Sequence, residues 1–312
     1  MMKQYWRVKE QYPDCLLFFR LGDFYEMFHD DAKLGAEELG LTLTTRDRGK
    51  PEEERTPMCG VPYHSAQNYI ARLIKRGYKV AICEQMEDPA TAKGLVDRDV
   101  IRIVTPGTAM DDVMLDESRN NYICAVYRDS AGAALARCDL STGQFAAVPY
   151  LGKGFLPHLL NALAACPPSE AILSDAAASD PDLTVFLKER LGCLWQQGEE
   201  VRFRPAQAAQ ALADCGLRKA DEPLPEEDGP RLCLQASGAL AAYLAETQKT
   251  NLGHLNSAAP EGGAEQDFME LDLTARRTLE LTETFRGQDK KGSLLWVLDK
   301  TKTPMGHRMI RA

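Results

Sequence analysis

The sequence predicts an α/β protein with a helical region at its C-terminal end. Short strand-like segments alternate with amphipathic helices over residues 1–105. Three strand-like segments separated by turn residues follow over 122–148. From about residue 232 the apolar spacing is mainly helical. We therefore expect three domains, over residues 1–105, 106–250 and 251–312.

Composition is typical of a globular protein without a membrane-spanning segment. The 312 residues are 44% hydrophobic and 27% charged. There is no apolar run of about 18 residues, and the first residues lack the apolar centre of a signal peptide. Nine cysteines without CxxC spacing predict free thiols rather than disulfides. We therefore expect a cytoplasmic protein.

Charge is unevenly distributed along the chain. The net charge of −9 argues against a generic nucleic-acid binder, yet residues 41–80 hold 8 basic and 4 acidic side chains. Local phosphate contacts are one interpretation of this stretch. The other is a solvated loop and helix surface, which charge alone favours.

In the first domain the spacing predicts the following elements in chain order. They are a helix over 2–11, a strand over Leu16–Arg20, a helix over Asp30–Glu38, a strand over Leu41–Thr45, a helix from a Ser65 cap to Gly77, and a strand over Lys79–Cys83. Gly40 is expected to end the second of these helices. Residues 46–55 are predicted to form a charged loop.

Residues 16–28, LLFFRLGDFYEMF, contain five aromatics. In an extended chain Phe24 and Glu26 share one face. A ring beside a carboxyl is unusual on a buried strand face. One interpretation places Phe24 in the core and Glu26 in the first turn of the next helix. The other is an exposed wedge that enters a base stack, beside a group that hydrogen-bonds to the base edge.

The second domain begins with an antiparallel meander. Its strands are predicted over Tyr122–Tyr127, Ala133–Asp139 and Gln144–Val148. A helix over 155–165, a strand over Glu170–Leu173 and a helix over 181–191 are predicted to follow. A meander followed by βα units predicts a ribonuclease-H-like domain.

The remainder of the chain is predicted to be mainly helical. Residues 216–230, with two acidic pairs and three prolines, predict an exposed loop before a long helix over Leu232–Thr250. Residues 256–266 are a predicted linker, and helices are expected over Leu273–Phe285 and from Leu294. The unfinished helical pattern leads us to expect that the natural chain continues.

Several ordered blocks resemble the MutS family of bacterial DNA mismatch-repair proteins. Residues 20–28, RLGDFYEMF, resemble the family's mismatch-recognition motif. The further blocks are 56–64 (TPMCGVPYH), 80–85 (VAICEQ), 102–108 (RIVTPGT), 271–286 and 297–309. Ordered blocks are more specific than one tripeptide, so they favour the wedge interpretation of Phe24. The sequence begins close to the first predicted helix, without the short N-terminal arm of the family. We therefore also expect that the natural chain begins before residue 1.

The resemblance implies a role for two residues. Phe24 is expected to stack on a mispaired base, and Glu26 to hydrogen-bond to that base as a neutral acid with a raised pKa. The resemblance places the next candidates near the DNA backbone or minor groove. The DNA-contact candidates are Leu21, Arg46, Tyr63 and His64.

Two of these candidates have alternatives that the sequence leaves open. Arg46 also fits a surface ion pair with Asp47 or a nearby glutamate. His64 also fits a local hydrogen bond or helix cap. No catalytic or metal-binding residue is expected in this chain.

The resemblance also implies domains, cofactors and partners. The three domains would be a mismatch-recognition domain, a connector and the start of the helical core or lever domain. ATP and Mg²⁺ are expected for the full-length protein. No cofactor is expected for this chain, because residues 287–293, GQDKKGS, have the glycine spacing of a phosphate loop but lack the lysine that directly precedes its serine. Expected partners are mismatched duplex DNA, a second copy joined through further C-terminal domains, and the repair factor MutL at the connector, in the bacterial cytoplasm and nucleoid.

Two other functions remain open from the residues. Asp139, Asp175, Asp180 and Asp182 could bind two Mg²⁺ ions for phosphodiester cleavage on a ribonuclease-H-like sheet. Alternatively they lie at strand ends and turns, where aspartate favours local hydrogen bonds. The third possibility is a protein-interaction module that uses the second domain and the long helix.

Overall fold

The chain contains two compact units. The computed structural model describes residues 1–46, 49, 51, 55–87, 96–111, 113–115, 119–250, 252–257, 271–287 and 289–311. The first unit comprises Met1–Met114 and Glu246–Thr250, and the second comprises Leu115–Ala245 and Asn251–Ala312. The division at 105/106 and 250/251 into three domains stays a prediction.

A six-stranded sheet with helices on both faces forms the first unit. Its strands are β1 (Cys15–Leu21), β2 (Phe24–Phe28), β3 (Thr44–Thr45), β4 (Pro57–Pro62), β5 (Lys79–Gln85) and β6 (Arg98–Val104). Its helices are α1 (Met2–Gln11), α2 (His29–Leu39) and α3 (Ala66–Lys75). The strand order is β3-β4-β2-β1-β5-β6, with β1 and β5 parallel and the other pairs antiparallel.

Strand β1 is buried on both faces. Leu16 and Phe18 belong to one apolar cluster with α2 and α3, and Leu17 and Phe19 belong to the other with Tyr5 of α1. This double burial explains the continuous apolar run of the sequence, because a strand covered on one face only would alternate with polar residues. The β1–β2 hairpin therefore stands on a rigid central strand.

Three details of this unit differ from the sequence predictions. Gly40 adopts φ +68° and the Leu41 N–H donates to Ala36 O at 3.0 Å, so Leu41 closes helix α2 instead of starting a strand. Strand β3 is correspondingly limited to Thr44–Thr45. Ser65 precedes α3 but donates to Pro62 O at 3.2 Å and does not cap the helix. The sequence did not predict β2, β4 or β6 as strands.

A second six-stranded sheet organises the second unit. Its strands are β7 (Tyr122–Arg128), β8 (Gly132–Asp139), β9 (Gln144–Leu151), β10 (Pro168–Leu173), β11 (Leu194–Gln197) and β12 (Asn256–Ser257). The helices after β9 are α4 (Phe155–Ala165), α5 (Asp175–Ala178), α6 (Pro181–Val185), α7 (Pro205–Asp214), α8 (Asp228–Gln248), α9 (Leu273–Thr278), α10 (Leu294–Leu298) and α11 (Pro304–Arg311).

The strand order β11-β10-β7-β8-β9-β12 confirms the predicted meander followed by βα units. Strands β7, β8 and β9 are successive antiparallel neighbours, and β10 and β11 run parallel to β7. Apolar clusters cover both faces of the sheet. The predicted α/β class, with helices at the C-terminal end, is confirmed. All nine cysteines are free thiols, as expected.

Several boundaries in this unit were wrong. Helix α8 begins at Asp228 rather than Leu232, because Pro230 is tolerated in a first turn that needs no N–H donor. The predicted helix over 181–191 is α6 followed by a π-helical turn at Phe186–Arg190. Helix α9 ends at Thr278, just before Glu280 at φ +49°.

Some predicted segments are only partly described. Asn256 and Ser257 of the predicted linker pair with β9, while 258–266 lie outside the described residues. Much of the charged loop over 46–55 also lies outside them. Within the described residues, no helix is long and apolar enough to cross a membrane.

Candidate nucleic-acid interface

The site begins at the tight hairpin between β1 and β2. Leu21 pairs with Phe24, so only Gly22 and Asp23 form the turn. Gly22 has φ +57°, a conformation that glycine adopts without the steric cost of a Cβ atom. A glycine at the first position of a two-residue loop matches the twist of the flanking strands. The turn places Phe24 at the hairpin tip.

Phe24 is an exposed aromatic in a strand whose other apolar side chains are buried. Its side chain is 46% exposed, whereas Tyr25, Met27 and Phe28 of the same strand are buried. The interpretation of Phe24 as a core aromatic therefore does not fit its position. The hydrogen-bonded strands on both sides fix its backbone.

Glu26 lies two residues further along the same face and is half-buried. It belongs to β2, not to the first turn of α2, which begins at His29. Glu26 pairs with the buried Phe19 of β1 on one side and with Gly60 of β4 on the other. Burial raises the pKa of Glu26 above its ordinary value, and the positive charge of Arg46 partly opposes this rise.

Arg46 is exposed immediately after β3. Its backbone N–H donates to Thr56 O at 3.2 Å, and its guanidinium carbon lies 6.0 Å from the centre of the Phe28 ring. The side chain thus reaches the face that carries Glu26. The alternative ion pair with Asp47 lies outside the described residues.

Tyr63 is tied to the hairpin by its backbone and by its ring. Its N–H donates to Asp23 O at 2.9 Å, and the Arg20 guanidinium lies 3.8 Å from its ring centre. Tyr63 is 46% exposed, which matches Phe24. The ring of exposed His64 stands nearly perpendicular to that of Tyr63, with centres 5.8 Å apart.

The sequence reading missed Arg20 as part of this site. Its Nη1 lies 3.4 Å from Glu84 Oε1, and the Tyr25 hydroxyl donates to the same carboxylate. This network ties β1, β2 and β5 together behind the hairpin tip. The sequence did indicate a role for Arg20, because this residue begins the motif RLGDFYEMF, directly before Leu21. Leu21 itself is half-buried and packs against the α1-side cluster.

The four aspartates of the nuclease alternative are not brought together. Asp139 pairs with Tyr122 at the beginning of β7, whereas the segment with Asp175, Asp180 and Asp182 follows β10, whose Leu173 pairs with Val126 near the end of β7. Among the described residues, no group of three or more His, Cys, Asp or Glu could hold a metal ion. The geometry gives the nuclease no support.

Each buried aspartate of that set has a local partner. Asp139 accepts from the Ser141 N–H and hydroxyl at 2.9 and 2.7 Å. Asp180 caps α6 and forms an ion pair with Arg128. These are the strand-end and turn roles that aspartate commonly has.

Residues 287–293 do not fit a phosphate loop in their described part. The Ser293 hydroxyl accepts from the Trp296 N–H at 3.2 Å and thereby caps α10. Lys290 is paired with Asp299 at 2.7 Å. The polar groups that would bind a nucleotide are therefore used to hold the local helix and turn.

Family models match most of the chain. They are described as MutS domain I, over residues 1–113, MutS domain II, over 121–256, and MutS domain III, over 274–312. The matches occur in the order in which the three domains are numbered.

Similar curated proteins carry the name DNA mismatch repair protein MutS. The protein of Ruminiclostridium cellulolyticum is 51% identical over 314 residues, that of Acetivibrio thermocellus 47% over 311, and that of Alkaliphilus oremlandii 43% over 313. Each alignment covers 100% of this chain and 35% of the relative. The chain thus spans about a third of the length of these relatives.

Proposed function

The chain belongs to the MutS family of DNA mismatch-repair proteins, and from this premise we propose that it recognises mismatched or unpaired bases in duplex DNA. This is the first step of mismatch repair. The observation that carries the proposal is the exposed Phe24 ring on a fixed hairpin tip, with the half-buried Glu26 on the same face.

Phe24 acts as a wedge in this proposal. Inserting an apolar ring between base steps costs a few kcal/mol of lost stacking, and the resulting kink brings more DNA against the protein. A mispaired step is already weakly stacked, so separating it costs less than separating a paired one. The preference for a mismatch then comes from the cost of deforming the DNA.

Glu26 supplies a hydrogen bond beside the wedge. Burial already raises its pKa in the free protein. The negative potential of nearby phosphates would raise that pKa further, so the neutral acid is favoured in the complex. A neutral carboxyl can donate to the acceptors that bases present in the minor groove. A negatively charged carboxylate would instead repel the phosphate backbone.

Sequence-independent affinity is assigned to the residues around the wedge. Arg46 and His64 are exposed and polar, and Tyr63 is 46% exposed and bound through its backbone N–H to Asp23 of the hairpin turn. Leu21 is half-buried and would contact DNA only at the hairpin edge. Contacts from Arg46 to phosphates release counterions, so this part of the affinity falls as salt rises.

Other properties are proposed for the whole protein. They are ATP hydrolysis with Mg²⁺, dimerisation through further C-terminal domains, and binding of MutL at the second unit, in the bacterial cytoplasm and nucleoid. For the 312-residue chain we propose no cofactor and no enzymatic activity.

The proposal is tested by equilibrium binding of the 312-residue chain to two labelled duplexes. One carries a single G·T mispair and the other is its paired control, across a salt series with Mg²⁺ present. We expect tighter binding of the mismatch at every salt concentration, with both affinities falling in parallel. Equal affinities would contradict recognition by these residues. Cleaved DNA in the same samples would favour the nuclease.

A further inference from the structure

Arg98 is a buried arginine of β6 that reaches the base of the β1–β2 hairpin. It pairs with Gln85, the last residue of β5, and β5 separates β6 from β1. The Arg98 side chain crosses this end of β5, and its Nε donates to Arg20 O at 2.8 Å. Its guanidinium carbon lies 5.3 Å from the centre of the Phe19 ring. A side chain from two strands away is therefore bonded to the main chain of β1.

The bond to Arg20 lies just beyond the point where the described pairing of β1 with β5 ends. The last pair of that parallel register is Phe19 with Cys83, and Arg20 is the next residue of β1. The hairpin turn begins only two residues after Arg20, at Gly22. The Arg98 guanidinium thus supplies a donor to β1 where the pairing with β5 has stopped.

Uncharged acceptors hold the Arg98 guanidinium away from water. Arg98 is 4% exposed, and besides Arg20 O it donates to Val96 O at 2.8 Å and to Gln4 Oε1 at 3.2 Å. Burial lowers the pKa of Arg98, so keeping the charge in this place costs folding free energy. Two backbone carbonyls and one amide oxygen together fix the orientation of the planar group, which a lysine cannot reproduce.

Arg20 in turn holds the hairpin tip. Its Nε donates to Gly22 O, and its guanidinium carbon lies 3.8 Å from the centre of the Tyr63 ring. The Tyr63 N–H donates to Asp23 O at 2.9 Å. The turn that presents Phe24 is thereby attached to Arg20, the residue whose carbonyl the β6 guanidinium binds.

We propose that Arg98 is a positioning residue for the Phe24 wedge, because it fixes the main chain at the base of the hairpin that presents this ring. Without its bond, this part of β1 depends on the Arg20–Glu84 ion pair for its attachment to β5. The hairpin then moves more freely, and the Phe24 ring must be ordered when it enters the base stack. Arg98 is buried and is assigned no contact with DNA, so this role extends the proposed function and rests on it.

The first part of the test needs no DNA. Amide hydrogen exchange is measured by NMR in wild type, Arg98→Lys and the matched control Arg102→Met. Arg102 is also on β6 and also donates to a backbone carbonyl, Thr108 O at 3.1 Å, but near the other end of the strand. Lysine keeps the charge of Arg98 and loses the planar set of donors.

The amides of Phe24 and Tyr63 report on the hairpin tip. Such amides exchange through local openings, whereas the slowest amides of the first unit exchange through global unfolding. We expect the two tip amides to exchange about tenfold faster in Arg98→Lys, as the loss of one hydrogen bond predicts. In Arg102→Met only the slowest amides are expected to exchange faster. Unchanged exchange at the tip in Arg98→Lys would overturn the inference.

The wild-type chain offers a measurement that survives if Arg98→Lys does not fold. The Arg98 Nε–H is expected to exchange with water far more slowly than the Nε–H of Arg7, whose side chain is 58% exposed. Equal exchange of the two groups would mean that Arg98 is not bonded to Arg20 O, and it would overturn the inference.

The second part measures the mismatch-over-paired affinity ratio of the same three proteins. We expect Arg98→Lys to lower the ratio by about threefold to tenfold, because a loosened wedge has to be ordered as it enters the DNA. The affinity for the paired duplex is expected to stay unchanged, and Arg102→Met is expected to keep the wild-type ratio. A wild-type ratio in Arg98→Lys would overturn positioning of the wedge by Arg98.

Failure of the proposed function gives a different result. In that case the wild-type chain binds both duplexes equally, and the recognition role of Phe24 falls together with the positioning role of Arg98. The exchange measurements still decide, without DNA, whether Arg98 holds the base of the hairpin.

Discussion

Arg20 holds its guanidinium 3.8 Å from the centre of the Tyr63 ring, behind the hairpin that presents Phe24. The same guanidinium is 3.4 Å from Glu84, and the side chains of this ion pair are largely withdrawn from water. Contact between a partly desolvated cation and an aromatic face is stronger than the same contact at an exposed site. The hairpin tip is therefore braced from β5 and from the turn after β4.

Replacing Arg20 by methionine removes this brace. We expect the free energy of unfolding to fall by about 1–2 kcal/mol, since the ring contact is lost and Glu84 loses its cationic partner while keeping the bond from Tyr25. The matched control is Arg7→Met, which breaks an ion pair with Asp97 whose side chains are more than half exposed. Such pairs contribute little. Urea unfolding checks both variants, and equal losses would contradict the brace.

Glu26→Gln is expected to change stability in a pH-dependent way. Because burial raises the pKa of Glu26 in the folded state, ionisation there costs folding free energy. That cost is absent below the unfolded pKa of about 4.3 and grows as pH rises to the folded pKa. Glu26→Gln is therefore expected to melt at a higher temperature than wild type at pH 7. The difference is expected to vanish near pH 4, and a constant difference across this range would contradict burial as the cause.

Asp139 is expected to act in folding rather than in cleavage. Asparagine can keep the two bonds from Ser141 through its carbonyl oxygen, whereas alanine loses both. We expect Asp139→Asn to be nearly neutral in urea unfolding and Asp139→Ala to cost about 1–3 kcal/mol. Both variants and wild type are expected to leave duplex DNA intact with Mg²⁺. Cleavage by wild type that Asp139→Asn abolishes would revive the nuclease.

Arg46→Gln is expected to weaken DNA binding without changing its selectivity. Losing one phosphate contact lowers the slope of log affinity against log salt by about one. The affinities for mismatched and paired duplexes are expected to fall by similar factors. A selective loss for the mismatched duplex would instead place Arg46 at the base.

Much of the fold was accessible from the sequence because local signals agree with the tertiary structure. Alternation and turn residues predicted the β7–β9 meander, and Gly40 marked the end of α2. Strand β4 was missed because it contains two prolines and a glycine, which argue against a strand. It is stable here because it pairs with β2 on one side and with the short β3 on the other.

The residues of the candidate site could be predicted from the sequence only in part, because some of them lie on different strands. The two-residue spacing of Phe24 and Glu26 predicted that they share one face of a strand, and they do so in β2. The residues that brace the hairpin, Arg20 and Glu84, come from β1 and β5, and no local pattern reveals how these two strands pair. The residues alone did not predict the exposure of Phe24 either, since an aromatic in an apolar run is usually buried. The resemblance to the family was what favoured an exposed ring.

The central claim is tested most directly by the mismatch-over-paired affinity ratio of Phe24→Ala. The matched control is Phe285→Ala in the second unit, where the ring is 67% exposed. The account predicts that Phe24→Ala brings the ratio close to one, since a stacked base contributes about 1–3 kcal/mol, and leaves salt-dependent binding of the paired duplex intact. Phe285→Ala is expected to keep the wild-type ratio. A wild-type ratio in Phe24→Ala would contradict the wedge.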